Sequence, residues 1–408
     1  MATSTHTAIA KQGTMLATET PAVSGRQRLE SLDVFRGLTI AGMILVNNPG
    51  SDDFYWPLGH ADELLNAHAA GWYPGKTWVE ANGWTPTDLI FPFFLFIVGA
   101  SMVLSFAARR ARGDSRRELL KHVLKRSALI LLIGYAIRIL PFFHFAHMRY
   151  PGVLQRIALV YLCACVITLW TSARGRLIWI AALLGGYYAV MWFVPVPGCD
   201  HAVWMTQSCS LAGWIDRKLM LGHLYRRDFD PEGLLSTLPA IATTLLGTLT
   251  GEFLRGASSL SRKLRGLVIA GVAGVAAGYA WHPWFPISKP LWTSSYVLFT
   301  AGAACLLLAL CWWLIEMRGR HAWGKPFLWL GSNAILAYAL STFVAKLGAV
   351  IQVSDGTRAI AAQTWIYTRW FAPLAQPKNA SLAFALCYLV LWTLVAWGLY
   401  RKKVFVRV

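Results

Sequence analysis

The chain has 408 residues, 56% of them apolar and only 14% charged. A soluble globular chain carries nearer a quarter charged residues, so this composition excludes an ordinary water-soluble protein and points to the bilayer. The net charge of +19 does not mark a nucleic-acid binder, because the basic residues gather in alternate loops between apolar runs.

Residues 1–27 are polar and rich in Ser, Thr and Ala, which predicts a disordered cytoplasmic tail. Ten apolar runs follow, at about 33–49, 88–107, 124–143, 153–171, 177–195, 234–253, 264–281, 293–315, 327–350 and 382–400. Each is near the roughly 20 residues needed to cross hydrocarbon. They do not alternate as barrel strands would, so the expected fold is all-α: a polytopic bundle of about ten transmembrane helices. With the N-terminus inside, the inner segments carry 24 of the 38 Lys and Arg residues, including eight between Arg109 and Arg126. That bias sets both termini in the cytoplasm. The outer loops are then 50–87, 196–232 and 351–381, long enough to carry chemistry. No linker divides residues 28–408, which read as one transmembrane domain. Cys199 and Cys209 share an outer loop and can form a disulfide if that side is oxidising.

Ionisable groups inside a membrane need a partner or a task. In the first run, Asp33 and Arg36 are spaced to pair on one helix face. The second run opens with a readable cap: Thr85 as N-cap, Pro86 at N1 and Asp88 at N3. Gln155 and Arg156 stand one turn inside the fourth run, and Arg156 has no local acid; Asp88 and Glu232, at the same outer level, are candidates. Asn47 and Asn333 carry amide groups that lipid would leave unpaired. His60 and His68 lie in the first outer loop. His144 and His147 have metal-like spacing but no accompanying acid or cysteine, so no metal site is expected. The GTLTG (247–251) and GVAAG (274–278) stretches predict close helix contacts.

RLESLDVFRGLTIAGMILVNNPG and GWTPTDLIFPFFLFIVGASM resemble the opening of the heparan-α-glucosaminide N-acetyltransferase family. The likeness continues through YPGVLQRIALVYL, DPEGLLSTLPAIATTLLG, KPLWTSSYVLFTAG and KPFLWLGSNAILAYALS, in order from about 28 to 345. It implies a transmembrane acyltransferase of the shorter bacterial form. Acetyl-CoA would come from the cytosolic side, the acceptor would be an amino sugar or glycan on the periplasmic side, and the protein would form a homodimer in the bacterial inner membrane. It also implies catalytic roles for His60, Asn47 and Asp88. About twenty residues separate His60 from NGWTPTD where relatives have a few, so His68 stays open as the alternative. Ser341 stands where the animal enzyme has histidine.

The substrate-binding set is read as Arg156, Gln155, Asn333, Asp33, Arg36, Glu232 and Trp292, the last as a sugar-stacking face or interfacial anchor. The basic residues for CoA lie among Arg255, Lys263, Arg318 and Lys325. A histidine can act as base or attack a thioester itself. The competing expectation is a sugar or ion transporter, weakened by the lack of any evident repeat between halves.

Overall fold

A computed structural model describes residues 29–61, 76–200, 205–356 and 358–406; the expected tail and His68 lie outside these residues. The helices, in chain order, are α1 (Glu30–Val46), α2 (Lys76–Asn82), α3 (Ile90–Arg110), α4 (Arg116–Ile139), α5 (Val153–Trp170), α6 (Ala173–Phe193) and α7 (Leu211–Met220). Then come α8 (Thr237–Arg255), α9 (Leu260–Trp281), α10 (Ser294–Trp312), α11 (Lys325–Ser332), α12 (Ala334–Val350), α13 (Ala362–Ile366) and α14 (Pro377–Arg401). Between α12 and α13, β1 (Gln352–Ser354) and β2 (Ala359–Ala361) form a small antiparallel hairpin, Val353 facing Ile360. Its few residues are a departure from the purely helical expectation, in a loop rather than in the bundle.

A helix falls on each of the ten apolar runs. The ninth is broken at Asn333 into α11 and α12, which meet at a bend of 73°. Among the described residues, six helices are long and apolar enough to cross a membrane, or seven if the bent pair is one span. Of the others, α1 has only 17 residues, α4 opens on RRELLKHVLKR, and α8 is threonine-rich. The bundle's outer faces expose Leu132, Ile178, Ile269 and Leu391. Apolar side chains turned outward on helices of this length suit a lipid surrounding rather than water.

Packing between α3 and α8 depends on small residues. A Cβ at Gly247 would stand 2.0 Å from the carbonyl oxygen of Phe96, so the two backbones touch where GTLTG lies. Glycine is there for proximity, not flexibility. α9 and α10 meet in the same way: a Cβ at Gly274 would lie 2.8 Å from Cα of Gly302.

The ends of five helices meet around one cavity of about 1050 Å3. They are the C-terminal ends of α1, α4 and α12 and the N-terminal ends of α5 and α14, so helices of opposite direction present their ends at one level of the bundle. Loop residues 52–60, with Lys289 and Pro290 ahead of α10, complete the wall. Cys199 and Cys209 are bonded, joining the loop after α6 to the segment that leads into α7.

Candidate active site

His60 follows a short 3-10 turn, Trp56–Leu58, and its half-buried ring lines the cavity. Two threonines of the TPTD turn hold this loop in place. The Thr85 hydroxyl donates to the Gly59 carbonyl at 2.7 Å, and the Thr87 hydroxyl donates to the Pro57 carbonyl at 2.9 Å. Residues 85–88 therefore start the helix and position the histidine at once.

Asp88 connects the two tasks. Its Oδ2 accepts the backbone N–H groups of Thr85 (3.0 Å) and Ala61 (3.1 Å), which is the expected cap. Its Oδ1 lies 2.8 Å from Nδ1 of His60. The carboxylate is fully buried, and the Tyr296 hydroxyl donates to the Asp88 carbonyl at 2.5 Å, fixing the turn against α10. In the tautomer whose Nδ1–H donates to that carboxylate, the lone pair of the neutral ring is on Nε2. One oxygen makes the cap and the other meets the histidine.

Lys289 is the third member and had no place in the expected set. Its ammonium lies 2.7 Å from Nδ1 and 3.2 Å from Nε2 of His60, and 3.4 Å from Oδ1 of Asp88. It offsets the buried carboxylate charge and puts a cation beside both ring nitrogens. The one signal in the sequence was a lysine heading the KPLWTSSY block.

Asn47 is the C-cap of α1, and its exposed side chain lines the cavity with His60. Gln155 and Glu232 line it as well. Glu232 is bound by Arg149, which also holds Asp230 at 2.6 Å through Nε. These two acids hold the Arg149 guanidinium well above its usual pKa despite burial.

The remaining expected residues are elsewhere. Arg156 is buried and reaches neither Asp88 nor Glu232: its Nη2 donates to the Gly233 carbonyl and the Ser236 hydroxyl, and its guanidinium lies over Trp292 at 5.1 Å. Backbone and hydroxyl acceptors stand where an acid was expected. Trp292, 1% exposed, packs on Phe91 and Tyr296 in the core, which leaves no face for a sugar. Asp33 and Arg36 pair at 2.9 Å, and Arg36 ties α1 to Gly331 and Ser101. The Asn333 amide donates to the Val404 carbonyl and accepts from the Val406 N–H, holding the C-terminal segment at the helix break. None of these, and none of Arg255, Lys263, Arg318 and Lys325, lines the cavity. His144 and His147 do line it, but among the described residues no group of three or more His, Cys, Asp or Glu could hold a metal.

Fold and site together define a multi-pass helical membrane protein with a histidine paired to a buried carboxylate at the wall of a roomy cavity. The sequence profile described as "Heparan-alpha-glucosaminide N-acetyltransferase, catalytic" matches residues 28–277. The chain is 28% identical to heparan-alpha-glucosaminide N-acetyltransferase of Homo sapiens over 93% of its length, and 28% identical to that of Mus musculus over 94%. It spans 60% and 61% of those two proteins. The chain belongs to the heparan-alpha-glucosaminide N-acetyltransferase family.

Proposed function

We propose that this protein transfers an acetyl group from acetyl-CoA to the amine of an amino sugar, with His60 as the central group. The observation that carries the reading is the 2.8 Å His60–Asp88 pair at the wall of a cavity of about 1050 Å3, large enough for a sugar beside a thioester. Asp88 holds the ring in one tautomer and steadies the imidazolium when it forms.

In direct transfer, the amine nitrogen bonds to the thioester carbon as Nε2 takes its proton. The C–S bond then breaks, and the proton passes from the imidazolium to the departing thiolate. In the covalent alternative, Nε2 attacks the thioester carbon and the C–S bond breaks, CoA leaving as the thiolate. The amine then attacks the acetyl carbon, the C–Nε2 bond breaks, and the amine's proton passes to the freed Nε2 and on to the thiolate. Both routes use the same tautomer and develop negative charge on the thioester oxygen. The Asn47 amide and the Lys289 ammonium are the donors available for it.

The sidedness belongs to the same proposal. The basic-loop bias supports both termini in the cytoplasm of a bacterial inner membrane, with the His60 loop outside and CoA arriving from within. Residues 28–408 act as one acyltransferase unit, and the homodimer rests on the family resemblance alone.

The test is CoA release by purified protein from acetyl-CoA plus glucosamine, comparing wild type, His60→Ala and His68→Ala. Loss in His60→Ala alone supports the reading. Loss in His68→Ala alone keeps the reaction and moves its centre. A wild type that binds a sugar or ion and moves it across vesicles without releasing CoA is a transporter.

A further inference from the structure

Arg149, which the transfer chemistry does not use, organises a second set of groups on the cavity wall. Its guanidinium donates to Asp230 through Nε and Nη2 and to Glu232 through Nη2. The Asp230 carboxylate is fully buried and reaches back to its own loop. Its Oδ2 accepts the Tyr225 N–H at 2.8 Å and its Oδ1 accepts the Glu232 N–H at 2.9 Å. Nearby, the Tyr150 ring stacks on His223 at 3.9 Å, and the Tyr150 N–H donates to the His223 carbonyl at 2.9 Å. The loop is thereby fastened to the segment that leads into α5.

Two groups from this frame reach the cavity. Tyr225 lines it and is 56% exposed. The Arg149 guanidinium lies over its ring, 4.6 Å from the centroid, so one face is covered and a ligand can take the other. Glu232 lines the cavity as well; its Oε2 is taken by Arg149, and its Oε1 has no partner among the described residues.

Burying an ion-pair network costs desolvation, and what this one presents to the cavity is a pinned aromatic ring beside a carboxylate oxygen. The C–H face of a pyranose suits the negative face of an aromatic ring, and an ionised carboxylate accepts hydroxyl hydrogens. We propose that Tyr225 and Glu232 form a carbohydrate subsite in the His60 cavity, the ring stacking on a pyranose and Oε1 accepting from its hydroxyls. The sugar is then held by a loop other than the one that carries His60. Tyr225 and Glu232 select the ring, and His60 acts on its amine. That this sugar is the acetyl acceptor rests on the acetyl-transfer reading; the subsite itself does not.

Titration of glucosamine into wild type and variants in nanodiscs tests the subsite without any turnover. Wild type binds, Tyr225→Ala and Glu232→Gln each bind at least about tenfold more weakly, and Tyr225→Phe, which keeps the ring, binds like wild type. Tyr225→Leu, which keeps bulk without an aromatic face, serves if Tyr225→Ala does not fold. Glucosamine that does not bind wild type, or that binds either folded variant equally well, overturns the proposal. So does a Tyr225→Phe that loses as much as Tyr225→Ala. Turnover then separates the subsite from the reaction. Tyr225→Ala should raise KM for glucosamine and leave KM for acetyl-CoA unchanged; an equal rise in both overturns the subsite and leaves the transfer reading standing. Wild type that binds glucosamine through Tyr225 but releases no CoA removes the transfer reading and leaves the subsite standing.

Discussion

At the level of single residues, the proposed transfer depends on which hydrogen-bond partner each nitrogen of His60 meets. Asp88→Asn keeps the size of the side chain and removes the charge that orients the ring. We expect kcat to fall by about two to four orders of magnitude with KM little changed, read from steady-state CoA release. Lys289→Met removes the cation 3.2 Å from Nε2. Its cost should be about 10²–10³-fold in kcat, with Lys289→Arg restoring part of it; an unchanged kcat would remove Lys289 from the mechanism. Part of this centre was legible beforehand. TPTD announces a capped helix, and a cap fixes where Asp88 points. Lys289 was not legible, because 229 residues separate it from His60 and only the packing of α10 against the Asp88 turn brings them together. Arg156 was misread for a related reason: a backbone carbonyl and a serine hydroxyl can satisfy a guanidinium, and neither shows in a sequence as a charge partner.

At the level of elements, two predictions concern packing and burial. Gly247→Ala puts a methyl carbon 2.0 Å from the Phe96 carbonyl, which α3 and α8 can relieve only by separating. Overpacking of that kind costs about 1–3 kcal/mol, so the variant should melt at a lower temperature in detergent. Asp216, on α7, is buried with Oδ1 accepting from the Leu234 N–H, and burial aided by Asp230 pushes its pKa from 3.8 up to about 6. A raised carboxyl binds protons more tightly in the folded state, so folding is favoured at low pH. That advantage is complete below about 4 and is lost as pH rises through 6. Asp216→Asn should therefore melt higher than wild type at pH 8, and the gap should close near pH 4. The ten apolar runs predicted helices well, since long non-alternating hydrophobic stretches leave little choice of backbone. They could not show that the ninth would break at Asn333, whose amide meets the backbone of Val404 and Val406 far along the chain.

For the whole molecule, the orientation of the five helix ends around the cavity is the measurable consequence. If both termini are cytoplasmic, a C-terminal fluorescent fusion glows in the cell. A periplasm-dependent phosphatase fused within 358–376 is active, and the same enzyme fused at 256–259 is inactive. The reverse pattern would place the His60 loop in the cytoplasm and remove the need for transfer across the bilayer. The charge bias along the loops was readable at this scale because it sums over many residues. The cavity was not, since its wall is assembled from segments as distant as Asn47 and Ser381.

The divided loyalty of Asp88 has a consequence for how this protein can change through time. One oxygen starts a helix and the other serves the histidine, so loss of the aspartate would cost both roles, whereas loss of the histidine costs only one. A lineage that abandons the chemistry would still need an acceptor for Thr85 and Ala61. Descendants that have lost activity are therefore expected to keep the aspartate and give up the histidine first.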